Sequence, residues 1–242
     1  MSQINGFIGR RHFLNRLGMG GIGSAAMAMG FSWNVQVAQA NVLSSSEELT
    51  PESPEAALKQ LLDGNQRFVQ QKGQHPHQSR DRLQEVALAQ HPYATVLSCA
   101  DSRVPVEIVF DQGVGDLFDI RVAGNIITPE VLGSLEYAAV ILETPLIMVL
   151  GHERCGAVTA AVANKPLPGQ IGTFVKAIKP AIAKLDPQSA NAVENAVVAN
   201  IQYQVEATKR SSDLLAERIS AGKLKIVGGR YDLDTGEVQV IA

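Results

Sequence analysis

The chain has 242 residues, 45% of them hydrophobic and 19% charged, which suits a globular α/β domain with a sizeable core and excludes intrinsic disorder. The first forty residues hold three arginines and no acidic residue, which leaves 18 Lys and Arg against 24 Asp and Glu, a charge of about −6. This acidic balance argues against binding to nucleic acid or to anionic lipid and favours a small-molecule partner.

The start of the chain has the pattern of an export signal. Residues 9–14, around Arg10 and Arg11, resemble the twin-arginine consensus, and a weakly apolar stretch rich in Gly and Ala follows at 17–37. Ala38-Gln39-Ala40 then supplies the small residues that a signal peptidase requires. A retained membrane anchor is the alternative, which the five glycines of residues 18–30 disfavour.

This pattern predicts three segments along the chain. They are a cleaved signal peptide over residues 1–40, a polar linker over 41–52, and one globular domain over 53–242. The predicted partner for export is the twin-arginine machinery, which carries folded proteins. The expected destination is a periplasm, or a thylakoid lumen in a photosynthetic organism.

Hydrophobic periodicity predicts alternating helices and strands in the domain. Helices are expected from Pro54 onward, after the capping residue Ser53, and over 81–90, 130–142 and 190–221. Apolar runs predict buried strands at 94–97, 117–122 and 146–150, and a hairpin of strands at 224–227 and 237–241. This alternation predicts the α/β class, as a three-layer sandwich around a mainly parallel sheet.

Both cysteines follow a predicted buried strand and lie in short polar motifs. The motifs are Cys99-Ala100-Asp101-Ser102-Arg103 and Gly151-His152-Glu153-Arg154-Cys155-Gly156. Because ligands gather at the carboxyl ends of parallel strands, the two thiols are expected to meet in space. Two thiolates, an imidazole and a nearby carboxylate are donors that suit zinc. His152 and Cys155, three residues apart, are expected to face the metal from one turn at a helix start.

Spacing alone leaves other interpretations open. Two cysteines in an exported protein can form a disulfide, and a single cysteine or histidine can simply fill the core. The presence of Asp101, Arg103 and His152 near the cysteines favours a metal site over a disulfide, because a disulfide needs none of these groups. The histidines His75 and His77 are predicted to be solvated loop residues, and His91 is a candidate for proton transfer to buffer.

The two motifs together resemble the signature of the β-carbonic anhydrase family, and the likeness suggests an exported bacterial or cyanobacterial-like member. The resemblance runs from about Pro54 to Val240. It includes the segments Arg121-x-Ala123-Gly124-Asn125, Ser134-Leu135-Glu136-Tyr137-Ala138 and Gly228-x-x-Tyr231-Asp232-x-x-Thr235-Gly236. Two departures are Val122, where Asn is common, and Glu153, where a small residue is common.

The resemblance implies reversible hydration of CO2 to bicarbonate and a proton through a zinc-bound hydroxide, with one Zn²⁺ per subunit. It assigns Cys99, His152 and Cys155 as metal ligands. It gives Asp101 two states: paired with Arg103 it orients the hydroxide, and released from Arg103 it binds the metal as a fourth ligand and closes the site.

The resemblance also implies a CO2 pocket and an oligomer. The residues that it places in the pocket are Gln90, Phe118, Ala123 and Tyr137, with part of the wall supplied by a partner subunit of a homodimer or larger homo-oligomer. Val96 occupies the position of a tryptophan that belongs to a bicarbonate-triggered inhibitory site in some members, so that switch is not expected here.

Three other functions compete with CO2 hydration. Hydrolysis of carbonyl sulfide or carbon disulfide would use the same fold and ligands. A zinc-bearing but inactive scaffold would keep Asp101 on the metal. A disulfide-stabilised binding protein would hold no zinc and no free thiol.

Overall fold

The computed structural model describes residue 51 and residues 53–242. The predicted signal peptide and nearly all of the predicted linker lie outside the described residues. In the described part of the chain, no helix combines the length and the apolar composition needed to cross a membrane. The α-helices are α1 (Pro54–Val69), α2 (Arg80–Val86), α3 (Val106–Val109), α4 (Pro129–Glu136), α5 (Gly156–Ala163), α6 (Gly172–Ile182), α7 (Ala192–Arg210) and α8 (Asp213–Ser220).

Five strands form one sheet in the order β2-β1-β3-β4-β5. The strands are β1 (Ala94–Ser98), β2 (Leu117–Arg121), β3 (Leu146–His152), β4 (Lys225–Tyr231) and β5 (Val238–Val240). The first four are parallel, and β5 pairs antiparallel with β4 as the predicted hairpin. The predicted mainly parallel α/β fold is therefore confirmed.

Side chains of the central strands alternate between the two faces of the sheet. Val96, Met148 and Leu150 pack with Leu61 of α1 on one face. Leu97, Ile147 and Val149 pack on the other face with apolar residues of α4, α7 and α8. All residues of β1 and β3 are buried, as expected of parallel strands that are covered by helices on both sides. The result is the three-layer arrangement that the sequence predicts.

The helix boundaries differ from the predicted ones in three places. The second helix ends at Val86 and not at Gln90. The single helix predicted over 190–221 is two helices, because the Ser212 hydroxyl caps α8 by accepting the amide of Leu215 and so interrupts the run after Arg210. Helices α3 and α6 were not predicted, and α5 was expected only as a helix start near His152 and Cys155. A π-helical segment, Tyr137–Ile141, extends α4 over the rest of the predicted 130–142 helix.

Gly64 marks the closest approach between α1 and the segment that follows α3. A Cβ atom at this position would lie 1.8 Å from the carbonyl oxygen of Phe110. Because that oxygen belongs to the backbone, we expect Gly64→Ala to lower the free energy of unfolding by about 3 kcal/mol. Urea unfolding checks this value.

The matched control is Gly133→Ala in α4, where an added Cβ would meet no atom within 4 Å. An alanine at this helical position should raise the free energy of unfolding by about 0.5–1 kcal/mol. Equal effects of the two substitutions would contradict the packing of α1 against Phe110.

Candidate metal centre

The sheet brings the two sequence motifs to one edge. Cys99 follows β1 directly, His152 is the last residue of β3, and Cys155 precedes α5. The two Sγ atoms are 4.0 Å apart, and the possible ligand atoms of all three residues lie within 4.8 Å of one another. All three side chains are buried, and both cysteines are free thiols. Strands β1 and β3 are hydrogen-bonded neighbours, which explains the convergence.

His152 and Cys155 do not share a helical turn, so that expectation is wrong. His152 lies in the strand, and Cys155 has extended dihedral angles at the N-cap of α5. Between them, Arg154 has a positive φ of 50°, which turns the chain sharply. This turn, and not a helix repeat, directs both side chains to the same point.

The His152 ring presents a lone pair inside the cluster. Its Nδ1 lies 2.8 Å from the carbonyl oxygen of Glu153, which can only accept, so Nδ1 carries a proton and the lone pair of the neutral ring is on Nε2. Nε2 is fully buried and makes no hydrogen bond to any described residue. A buried nitrogen without a partner is costly, whereas a metal ion would use its lone pair. Two sulfurs and this nitrogen are donors that suit Zn²⁺.

The two thiols differ in their acidity. The hydrogen bond from the Cys155 thiol lowers the pKa of Cys99 to about 4 against the opposing effect of burial, with help from the Gly124 amide. The same contact, together with burial, raises the pKa of Cys155. The contact therefore favours the thiolate form of Cys99, which is the form that binds metals.

Asp101 and Arg103 form a two-pronged ion pair beside the cluster. Arg103 Nε and Nη2 donate to the two carboxylate oxygens at 2.9 and 2.8 Å, and the Arg103 amide donates to Asp101 Oδ1 at 2.9 Å. These hydrogen bonds hold the pKa of Asp101 well below its usual range. Asp101 Oδ2 lies 3.8 Å from His152 Nε2, so the carboxylate faces the cluster of Cys99, His152 and Cys155 while it is paired with Arg103.

Arg121 holds the main chain of the first motif, a role that sequence reasoning did not assign. Its guanidinium donates to the carbonyl oxygen of Cys99 at 3.2 and 3.3 Å and to that of Asp101 at 2.6 Å. Arg121 ends β2 and lies beside Ser98 in the parallel register. The sequence signal that could have indicated this role is the position of Arg121 at the carboxyl end of the strand next to β1.

The pattern that describes the carbonic anhydrase family matches residues 94–238. The chain belongs to this family. It is 43% identical over 188 residues to carbonic anhydrase 2 of Mycobacterium tuberculosis, covering 76% of this chain and 91% of the relative. It is 40% identical over 192 residues to the carbonic anhydrase of Mycolicibacterium smegmatis, covering 78% and 93%.

Solved structures define the class. The β-carbonic anhydrase CcaA aligns with a TM-score of 0.61 at 28% identity, over 76% of this chain and 91% of that one. The Coccomyxa β-carbonic anhydrase, solved in complex with acetazolamide, aligns with a TM-score of 0.62 at 25% identity, over 76% and 86%. The predicted β-carbonic anhydrase fold and the prediction of an enzyme are confirmed. The export signal and the cyanobacterial likeness stay predictions.

The residues expected in the CO2 pocket of this β-carbonic anhydrase lie in three places. Ala123 packs in the apolar cluster that contains Cys99 and Cys155. The rings of Phe118 and Tyr137 are neighbours, with centroids 6.1 Å apart, and 38% of Tyr137 is exposed. Gln90 is exposed in the segment between α2 and β1. The pocket role of all four stays a prediction.

The loop that contains His75 and His77 makes more side-chain and backbone contacts than a solvated loop is expected to make. His77 Nδ1 lies 2.7 and 2.8 Å from the carboxylate oxygens of the buried Asp116. The His75 amide donates to Asp111 Oδ1 at 2.9 Å, and the His75 ring Nδ1 lies 3.9 Å from the same oxygen. The prediction of a simply solvated loop is therefore wrong for His77. These contacts tie the loop to the segment before β2.

Asp119 on β2 is a partly buried carboxylate whose Oδ1 has no hydrogen bond to a described residue. Burial raises its pKa to about 7, with a further contribution from Glu107 and opposition from Arg121. Because the folded pKa lies above the ordinary value of about 4, the stability linked to this group is fully present below pH ~4. It is lost as the pH rises through ~7.

We expect the free energy of unfolding of the wild type to fall by on the order of 1 kcal/mol between pH ~4 and ~7 because of this group. Asp119→Asn cannot ionise and should remove that part of the pH dependence, so the variant gains stability over the wild type as the pH rises. Urea unfolding across this pH range checks the prediction. Parallel pH profiles of the two proteins would contradict it.

Proposed function

We propose that the protein catalyses the reversible hydration of CO2 to bicarbonate and a proton, with one Zn²⁺ held by Cys99, His152 and Cys155. The observation that carries the proposal is the buried, unpaired Nε2 of His152 beside two free thiols at the carboxyl ends of β1 and β3. Zinc in such a site lowers the pKa of bound water toward neutrality and so supplies hydroxide at ordinary pH.

In this proposal Asp101 orients the attacking hydroxide. Its carboxylate is ionised, it faces His152, and Arg103 fixes its plane by two parallel hydrogen bonds. An ionised carboxylate can only accept a hydrogen bond, so Asp101 would accept one from the nucleophile that a bound metal would supply, and would orient that nucleophile toward CO2. Arg121 keeps the main chain of the motif in register. Loss of the Arg103 contact would free Asp101 to become a fourth ligand.

We further propose that the working enzyme is a homodimer or larger homo-oligomer in which a partner subunit completes the CO2 pocket. Within residues 53–242, strand β2 is an edge of the sheet, and its residues are not fully buried. Apolar side chains on the π-helical segment are exposed as well, 38% for Tyr137 and 50% for Ile141. An unpaired edge next to exposed apolar groups is a surface that a second copy can cover.

The test is a comparison of substrates on the purified, zinc-loaded protein. We expect rapid CO2 hydration in a stopped-flow pH-indicator assay, and much slower consumption of carbonyl sulfide and carbon disulfide. A zinc-loaded protein that consumes either sulfur compound faster than CO2 would replace this proposal with a hydrolase. A zinc-loaded protein without any of these activities, at neutral and alkaline pH, would replace it with an inactive scaffold.

We propose that residues 1–40 direct export through the twin-arginine machinery, to a periplasm or a thylakoid lumen. The support is the Arg10-Arg11 pair followed by a weakly apolar stretch and the Ala38-Gln39-Ala40 site. Cell fractionation of the full chain and of a variant with both arginines replaced by lysine tests this. Equal distribution of the two proteins would contradict twin-arginine export.

A further inference from the structure

Glu153 connects the metal ligand His152 to the last parallel strand. Its carbonyl oxygen accepts the Nδ1 proton of His152 at 2.8 Å, and its amide donates to the carbonyl oxygen of Tyr231 at 3.1 Å. Its carboxylate accepts from the Arg230 guanidinium and, at 3.3 Å, from the Leu233 amide. The residue whose carbonyl contacts His152 is therefore anchored on β4 and on the turn after it.

Arg230 is itself held between two acidic side chains. Its Nη2 donates to Glu153 and its Nε donates to Glu194 at the start of α7. The side chains of Arg230 and Glu153 are only 17% and 14% exposed. Hydrogen bonds between ionised partners in such a half-buried place are strong and directional. The contacts thus form a continuous path from α7 through β4 to the His152 ring.

We propose that Arg230 is a positioning residue for the metal ligand His152 and acts through Glu153. The proposal rests on the function proposed above, in which His152 Nε2 binds Zn²⁺. Without the guanidinium, the Glu153 carboxylate would keep only the Leu233 amide and the longer contact with Arg154, at 3.5 Å. The carbonyl that orients the ring would then be held less firmly. The His152 ring would then spend less time in the orientation that points Nε2 at the metal, and the affinity for Zn²⁺ would fall.

A purely structural role would have a different signature. Arg230 also joins α7 to the sheet, so its loss can lower stability without any effect on the metal. Stability of the zinc-free protein and affinity for Zn²⁺ must therefore be measured separately. The absorption spectrum of the Co²⁺-substituted protein adds a direct readout of ligand geometry that a loss of stability does not change.

The variants are Arg230→Met, which removes the charge, and Arg230→Lys, which keeps it without the planar fork. Competition with a chromogenic chelator should show Zn²⁺ affinity about tenfold weaker for Arg230→Met and an intermediate loss for Arg230→Lys. The Co²⁺ spectrum should shift in the same order. The control is Lys225→Met, which removes the ion pair between the other end of β4 and Glu55 and should leave affinity unchanged.

Wild-type Zn²⁺ affinity and an unchanged Co²⁺ spectrum in Arg230→Met would overturn the inference, even if the variant is less stable. If Arg230→Met does not fold, Arg230→Lys decides: weaker Zn²⁺ binding supports the inference and wild-type affinity contradicts it. A wild type that binds no Zn²⁺ would instead overturn the proposed function, so the two failures are distinguishable.

Discussion

Replacing Cys155 by serine is expected to remove Zn²⁺ from the protein and to lower CO2 hydration by on the order of 10³-fold or more. The serine hydroxyl does not ionise near neutral pH, so the buried site would lose one of its two soft donors. It would also lose the hydrogen bond that lowers the pKa of Cys99. Metal analysis of the purified variant and a stopped-flow assay measure the two effects.

The matched control for this substitution is Ser98→Ala. Ser98 is as deeply buried as the ligands, directly precedes Cys99, and its hydroxyl makes no hydrogen bond to a described residue. Removing this hydroxyl should leave zinc content and activity at the wild-type level. A Cys155→Ser protein that keeps both zinc and activity would show that the sulfur is not a ligand.

Asp101→Asn is expected to lower CO2 hydration by on the order of 100-fold while zinc stays bound. The amide keeps the shape of the side chain, but it has one acceptor oxygen in place of two and no charge to hold the Arg103 fork. Since Arg103 keeps the pKa of Asp101 well below its usual range, the wild-type carboxylate is ionised throughout the neutral and alkaline range. The deficit should therefore persist at every pH in that range.

Asp234→Asn is the matched control because Asp234 forms the same kind of ion pair with Arg154 on the exposed side of the turn between His152 and Cys155. Arg154 donates to its two oxygens at 2.8 and 2.9 Å, and the Asp234 side chain is 73% exposed. This variant should hydrate CO2 at the wild-type rate. Wild-type turnover in Asp101→Asn would contradict the orienting role, and loss of zinc would show a structural one.

The parallel core and the metal cluster were predictable because they depend on short-range patterns. The apolar runs in β1 and β3 have the length and composition of strands covered on both faces. Once two such strands are parallel, residues just after them must share one edge of the sheet, and that places Cys99 near His152. The polar residues around each cysteine then distinguish a metal site from a disulfide.

The parts that could not be predicted depend on local ambiguity or on distant pairs. Helix α5 consists almost entirely of small and apolar residues, so it lacks the amphipathic period that identifies a helix at the surface. The break before α8 depends on whether Ser212 caps a new helix or continues α7. Arg121 and Arg230 act through hydrogen bonds to carbonyl oxygens or to residues far along the chain, which depend on strand register and carry no local pattern.

The central claim is that CO2 hydration depends on one Zn²⁺ at the cluster of Cys99, His152 and Cys155. The most direct measurement adds Zn²⁺ in steps to the zinc-free wild-type protein and follows CO2 hydration by stopped flow. The account predicts that activity rises in proportion to bound zinc and levels off at one Zn²⁺ per chain. Two results would contradict this claim: CO2 hydration that does not depend on zinc, or no CO2 hydration by protein that holds one Zn²⁺ per chain.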